Sequence, residues 1–393
     1  MRGYAFLRGA MSLVEIASTV AVVSLAVLFV TWVGYPALAV LIARFIPRRT
    51  PRVATGAPPR VSVVIATLGP EAVVRTRIDD LRRGEWPNDL LEIVVTLDQA
   101  TPAADRRALV ELDDGRGVRV IDTARAPGKA SALNAGVRAA TGDVLVFTDT
   151  AQRFATDAIP RLVAALDADP SIRLVGGALY LPGDSPGARR SPVEWYWATE
   201  RALRAAEALI HSPIGVSGSI YALRRDAWCD MPDGLILDDL WLPMRRVLAG
   251  ERVGYTVDAH AWDVRRTEVA RETGRKVRTL TGNFQLLLLL PEVLVPWRNP
   301  VWCQFVMHKL MRLVTPWCAL CFLLGSALVV AVTWPRLTFL AAAGATALAV
   351  LLRQLAPVIA ERVTGGVRWA IAGNVALAQA TANALRRRWD VWT

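Results

Sequence analysis

The amino-acid sequence predicts an α/β domain, built around a mostly parallel sheet, between apolar segments that cross a membrane at both ends of the chain. From residue 60 to residue 270, short runs of β-branched residues alternate with stretches of helical periodicity. This alternation is typical of parallel strands connected by helices on both faces of a sheet. Apolar residues make up 53% of the 393-residue chain, and they concentrate before residue 47 and after residue 284.

The strands and helices expected in the first half of the domain alternate along the chain. The strands are Val61–Ala66, Glu92–Leu97, Val118–Ile121 and Val144–Thr148, and the helices are Glu71–Arg83, Ala103–Leu112 and Ala130–Ala140. Ligands of such sheets bind beyond the carboxyl ends of the strands, so the functional residues are expected at that edge.

The predicted organisation has five parts. Residues 1–46 form an N-terminal transmembrane anchor, 47–60 a basic, proline-rich linker, 61–270 the α/β domain, 271–300 an amphipathic segment at the membrane interface, and 301–393 a C-terminal membrane region. That last region contains two to three candidate transmembrane helices: Leu313–Thr333, Leu337–Ala360 and the weaker Trp369–Leu385.

The formal net charge of +11 is compatible with nucleic acid, anionic lipid or a phosphate-bearing substrate. Arginines cluster just outside the apolar segments, which favours membrane lipids as partners over nucleic acid. They are Arg44, Arg48, Arg49 and Arg52 at one end and Arg386, Arg387 and Arg388 at the other. The positive-inside rule then places the α/β domain in the cytosol. Three C-terminal crossings would leave Arg386–Arg388 outside, so either the last helix does not cross or the rule is overridden.

Three residues point to the chemistry of the predicted site. Asp98 and Asp149 each follow a predicted strand, and a carboxylate at that position suits Mg²⁺ or Mn²⁺, although an acid in a turn or helix cap is equally common. Lys129 follows Gly128 at the start of a predicted helix, where free backbone N–H groups and an ammonium favour phosphate. The spacing is not that of a P-loop.

Six ordered motifs between Val61 and Asp239 resemble the family-2 glycosyltransferases of the GT-A fold. They are VSVVIAT ending at Thr67, Asp98, GKASALNAG with Lys129, FTD ending at Asp149, GVSGSIYALRR from Gly215, and LDD ending at Asp239. The apolar flanks and the WVGYP stretch at residues 32–36 resemble the membrane-integrated branch that includes hyaluronan and cellulose synthases.

The resemblance implies roles for these residues. Thr67 would lie in the nucleotide pocket, Asp98 would bind the uridine of a UDP-sugar, and Lys129 would approach its diphosphate. Asp149 would hold Mg²⁺ or Mn²⁺. Asp239 would act as catalytic base in an inverting displacement.

Two further residues have less certain roles. Asp238 would either raise the pKa of Asp239 or orient it. Arg278 lies in a partial counterpart of the Q-x-x-R-W motif of processive synthases and would face the diphosphate.

Two departures from the family pattern bear on metal binding and on processivity. The usual D-x-D motif reads Asp149-Thr150-Ala151, so the second metal-binding acid is missing, and the tryptophan of Q-x-x-R-W is absent too. Three interpretations therefore stay open: extension of a cell-surface polysaccharide, transfer of a single sugar to a polyprenyl phosphate or other lipid, and a catalytically silent membrane subunit that binds nucleotide sugar.

Overall fold

The computed structural model describes residues 2–47, 57–122, 126–181, 192–264, 269–336 and 357–389, together with residues 338, 344, 348, 351, 353 and 354. Most of the predicted linker and most of the predicted helix Leu337–Ala360 lie outside the described residues.

Twelve α-helices and eight strands make up the described part of the chain. The helices are α1 (Arg2–Phe29), α2 (Tyr35–Ala43), α3 (Glu71–Arg82), α4 (Ala103–Val110), α5 (Lys129–Ala139), α6 (Ala158–Asp167), α7 (Pro192–Ile210), α8 (Asp238–Leu248), α9 (Val269–Leu289), α10 (Trp302–Phe305), α11 (Met311–Thr333) and α12 (Pro357–Leu385). The strands are β1 (Val61–Thr67), β2 (Leu91–Leu97), β3 (Val118–Ile121), β4 (Val144–Phe147), β5 (Gln152–Phe154), β6 (Ile172–Tyr180), β7 (Tyr221–Arg224) and β8 (Arg252–Asp263). The four strands and three helices predicted above are confirmed, with ends that differ by one or two residues.

The eight strands form one sheet in the order β3-β2-β1-β4-β7-β6-β8-β5. Strands β3, β2, β1 and β4 are parallel, as predicted, whereas β7 is antiparallel to both β4 and β6. The sheet is therefore mixed: four of its seven strand pairings are parallel, including β6 with β8, and three are antiparallel. Strand β7 starts at Tyr221, opposite Phe147, the last residue of β4. The chain enters β7 from the carboxyl edge of the parallel strands, so β7 runs antiparallel to β4.

Apolar layers cover both faces of the sheet. One layer packs α5 and α8 against β1, β2 and β4, and the other packs α3 and α6 against the opposite face. Helix α5 lies very close to the strands, because a Cβ added to Gly136 would be 2.5 Å from Thr96 Oγ1 and 2.7 Å from Val64 Cγ1. This contact fixes the helix whose first residue is Lys129.

Among the described residues, two stretches are long and apolar enough to cross a membrane, Ser12–Ala43 and Trp302–Thr333. They pack against each other through small residues: a Cβ on Gly325 would lie 2.8 Å from the carbonyl oxygen of Ala17 and 3.3 Å from Ala21 Cβ. Small residues permit such close approach of apolar helices. Both stretches reach α7 of the sheet domain. Ala39 and Ala43 of the first share a small core with Leu203 and Ala206, and His308 of the second lies 2.8 Å from Glu200.

The C-terminal helix returns to the sheet domain. Asn383, near the end of α12, donates a 3.4 Å hydrogen bond to Thr281 on α9. The side chain of Leu237, just before α8, lies 2.5 Å from where a Cβ on Gly282 would be. Arg386–Arg388 therefore follow a helix end that lies beside the sheet domain.

Candidate active site

The nucleotide-side residues lie where β1 and β2 end. The backbone N–H of Asp98 donates to the carbonyl oxygen of Thr67 at 3.0 Å. The Asp98 carboxylate is buried, and it accepts hydrogen bonds from the N–H of Gly128 at 2.7 Å and of Ala100 at 2.8 Å. Asp98 thus joins the end of β2 to the turn that begins α5.

Glycine is required at the start of α5. Gly128 has a φ of +108°, a conformation that side chains with a Cβ rarely adopt. Its geometry turns the chain so that Lys129 is the first residue of α5 and projects from the edge of the sheet.

The ammonium of Lys129 lies between two carboxylates. Its Nζ is 3.1 Å from Asp149 Oδ1, at the end of β4, and 3.2 Å from Asp238 Oδ2, at the start of α8. The three side chains are 21%, 34% and 9% exposed, so the cluster is shielded from water yet open enough for a ligand to reach.

The segment before β7 completes this cluster. Ser219 donates from Oγ to Asp149 Oδ2 at 3.1 Å, and the N–H of Gly218 donates to Asp239 Oδ2 at 3.3 Å. A Cβ on Gly218 would lie 3.4 Å from both Lys129 Nζ and Asp239 Oδ2. Gly218 therefore forms one wall of the space that Lys129 and Asp239 share.

Charge interactions shift the pKa values of this cluster. Burial lowers the pKa of Lys129, but the carboxylates of Asp149, Asp238 and Asp239 outweigh burial, so its pKa is raised and the ammonium stays charged. Burial raises the pKa of Asp238; Lys129 opposes this effect, whereas Asp239 and Asp149 add to it. The structure thus holds one cation against several acids, an arrangement suited to a ligand that brings both a metal and phosphate charges.

Sequence reasoning missed a buried arginine behind the site. Arg77 on α3 is fully buried, forms an ion pair with Asp80 and donates to Thr148 Oγ1 at 2.9 Å. Its guanidinium lies 4.1 Å from the ring centroid of Phe154, and burial lowers its pKa to about 10. The sequence did contain a sign of it: Arg77 stands among Val74, Ile78 and Leu81 on the apolar face of α3. A cation on an apolar helix face indicates a structural role.

Arg278 lies on α9, one turn before Gly282. Its Nε is buried, and Gly282 packs against Ile236 and Leu237, the residues that precede Asp238. The structure therefore places Arg278 on the helix that supports the start of α8, and its contact with a diphosphate stays a prediction.

Asp149 is the one acid of the predicted metal-binding motif that the sequence contains. Within the described ranges no group of three or more His, Cys, Asp or Glu side chains is arranged to hold a metal ion. Asp149 is partly exposed, and Ala151 takes the position of the second acid. One or two carboxylates combined with substrate phosphates are a usual set for Mg²⁺, so these residues fit a metal that the donor helps to hold.

Comparison with known proteins identifies the domain. Residues 62–229 match the sequence profile of the family described as Glycosyl transferase family 2. This chain contains a glycosyltransferase family 2 domain. The matched region includes Thr67, Asp98, Lys129 and Asp149, while Asp238 and Asp239 follow just after it. The protein is a glycosyltransferase that uses a nucleotide sugar.

One solved structure shares the GT-A fold of this chain. A mannosyltransferase from Pyrobaculum calidifontis, in complex with GDP-Man and Mn²⁺, is 20% identical, covers 94% of this chain and 99% of its own, and has a TM-score of 0.69. The likeness in fold therefore includes terminal helices as well as the sheet. Glucosyl-3-phosphoglycerate synthase from Mycobacterium tuberculosis, with Mn²⁺ and UDP, is 21% identical, covers 58% of this chain and 79% of its own, and has a TM-score of 0.39. No curated protein sequence matches this glycosyltransferase.

Proposed function

We propose that this glycosyltransferase catalyses an inverting, metal-assisted transfer of a sugar from a nucleotide-diphosphate donor to an acceptor at the cytosolic face of a membrane. A UDP-sugar is the expected donor. The observation that carries the proposal is the cluster at the sheet edge, in which Lys129 lies 3.1 Å from Asp149 and 3.2 Å from Asp238 and Asp239 is adjacent.

On the donor side, the expected nucleoside position is the edge formed by Thr67 and Asp98. The diphosphate would then lie over the first turn of α5, where Lys129 and free N–H groups face it. As the bond between the anomeric carbon and the phosphate oxygen breaks, negative charge develops on the leaving diphosphate. Lys129 would neutralise part of that charge, and such stabilisation is a large contribution to catalysis.

Asp149 is the proposed protein ligand of a Mg²⁺ or Mn²⁺ ion, which when bound would stabilise the leaving diphosphate. Ser219 holds Asp149 Oδ2, so the carboxylate is oriented without a second acid. The Pyrobaculum calidifontis mannosyltransferase was solved with GDP-Man and Mn²⁺, which supports a divalent cation and makes GDP-mannose the second donor to test.

On the acceptor side, Asp239 is the proposed base. It would take the proton of an acceptor hydroxyl while that oxygen attacks the anomeric carbon from the face opposite the diphosphate, and this direct displacement inverts the configuration. Asp238 pairs with Lys129 and is the less exposed of the two acids, which supports an orienting role for Asp238.

The proposed location follows from the membrane segments and charges. Ser12–Ala43 and Trp302–Thr333 are candidate spans. Arginines flank the first span on both sides but are more numerous on the side of the glycosyltransferase domain, where Arg44, Arg48, Arg49 and Arg52 stand against Arg2 and Arg8 on the other side. The proposal of a cytosolic domain rests on that distribution.

The test is nucleoside diphosphate release by the purified full-length protein with UDP-sugars and GDP-mannose, each with Mg²⁺ or Mn²⁺. We expect release from one donor class, and we expect Asp239→Asn to abolish turnover while donor binding persists. Turnover that survives Asp239→Asn would show that Asp239 is not the base. Donor binding without release from any donor would support the silent-subunit interpretation, which the missing acid at Ala151 favours.

Product analysis separates the remaining alternatives. Mass spectrometry of the lipid and glycan fractions, after incubation of membranes with the accepted donor, would show either one added sugar or a ladder of products. A ladder would indicate polysaccharide extension, and a single addition would indicate transfer to a lipid such as a polyprenyl phosphate.

A further inference from the structure

The segment from Thr148 to Phe154, which follows β4, is attached to α3 at both of its ends. At its start, Arg77 Nη2 donates to Thr148 Oγ1 at 2.9 Å, and the Thr148 hydroxyl donates in turn to the carbonyl oxygen of Asp149 at 3.2 Å. At its end, the N–H of Phe154 donates to Asp80 Oδ2 at 3.4 Å. Because Arg77 pairs with Asp80 and its guanidinium lies over the Phe154 ring, the two attachments form one unit.

Local stability alone does not explain an arginine at position 77. Its side chain is fully buried, and in the part of the chain that the structure describes its Nε has no hydrogen-bond partner. An apolar side chain in place of a buried ion pair is often as stable or more stable, and the neighbours Val74, Ile78 and Leu81 on this face of α3 are apolar. What an apolar residue could not provide is the contact with the segment after β4.

This segment contains the incomplete metal motif. Asp149 is its single acid, and Ala151 stands where a second acid is usual. Lys129 and Ser219 contact the carboxylate oxygens of Asp149, which are the atoms that a metal ion would take. Arg77 instead reaches the backbone at Asp149 through one hydroxyl group, so its contact is compatible with a metal-bound carboxylate.

We propose that Arg77 is a positioning residue for the metal site. Together with Asp80 it fixes the segment after β4, so that the carboxylate of Asp149 is oriented before the metal ion and the donor diphosphate bind. This inference rests on the proposed function, in which Asp149 is the protein ligand of the metal. A single protein ligand that is already held in place loses less freedom on binding, and contacts that orient a metal ligand typically contribute about 10- to 100-fold to metal affinity.

The test is Mn²⁺ binding by the full-length protein in neutral detergent with UDP or GDP present, measured by electron paramagnetic resonance of the free ion. We expect Arg77→Met to raise the dissociation constant of Mn²⁺ by about ten-fold, while binding of the same nucleotide without metal is unchanged. Arg77→Lys keeps the charge but not the planar fork of donors, so it should recover part of the Mn²⁺ affinity. With an accepted donor, Arg77→Met should need more Mn²⁺ for half-maximal turnover, and turnover at saturating Mn²⁺ should fall much less.

A second variant tests the connection between Arg77 and Asp149 directly. Thr148→Val removes the hydroxyl group that joins them and keeps the shape of the side chain, so it should also weaken Mn²⁺ binding. The double variant should bind Mn²⁺ about as well as Arg77→Met alone, because both changes break the same connection. Losses that add in full would overturn the proposal. If Arg77→Met does not fold, Thr148→Val decides the matter, and a normal Mn²⁺ affinity in Thr148→Val would overturn the proposal.

Two matched controls separate positioning from general loss of stability. Arg252→Met removes a guanidinium that donates to two carbonyl oxygens at the C-terminal end of α7, and Tyr35→Phe removes a hydroxyl group that donates to Glu207 at 2.6 Å. Both should lower the Tm without changing the dissociation constant of Mn²⁺. An equal rise of that constant in the controls and in Arg77→Met would overturn the positioning role.

Metal binding and donor turnover are separate measurements. If Mn²⁺ affinity depends on Arg77 but no donor is turned over, the positioning role stands and the transfer function fails. If donor is turned over but Arg77→Met binds Mn²⁺ like the wild-type protein, the transfer function stands and the positioning role fails. Wild-type protein that binds no Mn²⁺ with either nucleotide would overturn both the positioning role and the metal assignment of Asp149.

Discussion

The ammonium of Lys129 lies 3.2 Å from Oδ2 of Asp238, the residue next to the proposed catalytic base. This contact connects the first turn of α5 to the first turn of α8, two helices that approach the sheet edge from different parts of the chain. The Lys129 ammonium that would face a donor diphosphate is therefore positioned by the neighbouring carboxylates before the donor binds.

Lys129→Met should lower turnover by about a hundred-fold, the usual cost of removing one group that stabilises a developing anion. Because the remaining carboxylates would then repel the diphosphate, donor affinity should fall as well. Nucleoside diphosphate release and donor titration measure the two effects. Lys129→Arg keeps the charge and should recover part of both. Normal turnover in Lys129→Met would contradict the proposed role.

Ala151→Asp should strengthen binding of Mn²⁺ by about ten-fold, because it restores a second charged ligand beside Asp149. Calorimetric titration of Mn²⁺ in the presence of nucleoside diphosphate measures the change, and Ala151→Asn is the neutral control of the same shape. Equal affinities in Ala151→Asp and Ala151→Asn would argue against a metal at Asp149.

Glu200→Gln should destabilise the protein by roughly 3–5 kcal/mol, because it leaves buried cations without their counterion. Thermal unfolding followed by tryptophan fluorescence measures the loss. The control is Glu71→Gln, which removes an exposed pair with Arg75 on α3 and should change stability by about 0.5 kcal/mol or less.

The same residue predicts a dependence of stability on pH. Burial alone would raise the pKa of Glu200, but His308, Arg204 and Arg312 hold it well below its ordinary value of 4.5. Since the folded pKa is depressed, the stabilisation is present above pH 4.5 and is lost as pH falls toward the folded value. The Tm of the wild-type protein should therefore fall more steeply below pH 4.5 than the Tm of Glu200→Gln. Parallel profiles would contradict this assignment.

Gly136→Ala should destabilise the domain by about 1–3 kcal/mol, the usual cost of overpacking, because the added Cβ would press on Thr96 and Val64. Denaturation monitored by tryptophan fluorescence measures it. Gly274→Ala is the matched control within α9, where no atom lies within 4 Å of the added Cβ. It should be neutral or stabilising, since alanine favours a helix over glycine. A neutral Gly136→Ala would show that α5 is free to move.

The first half of the sheet was predictable because its strands carry their own signal. Val61–Thr67 and Leu91–Leu97 are runs of buried β-branched and apolar residues, and helices of ordinary length separate them. The short strand Gln152–Phe154 has no such signal: it is a three-residue strand that pairs with residues more than 100 positions later, near Asp263. Pairings at that distance depend on the assembled fold.

The candidate site shows the same limit. Lys129, Asp149 and Asp238 could be chosen from motifs in order along the chain, and the structure brings them together. His308 and Glu200 could not, because 108 residues separate them and His308 lies in an apolar stretch without a neighbouring acid. The guanidinium of Arg312 binds Glu200 and lies over Trp32, and its position at the edge of an apolar stretch predicts neither contact.

The hydrogen bond from Tyr35 to Glu207 has a practical consequence for work on this enzyme. A shortened protein that begins after the N-terminal span would lose Tyr35, Ala39 and Ala43. The Glu207 carboxylate would lose a hydrogen bond, and the apolar residues Leu203 and Ala206 on α7 would be exposed. Solubilising the enzyme by trimming is therefore expected to yield an aggregating or inactive fragment. For the same reason, a different membrane helix could replace the first one only if it placed a hydroxyl group and small residues on the face that packs against α7.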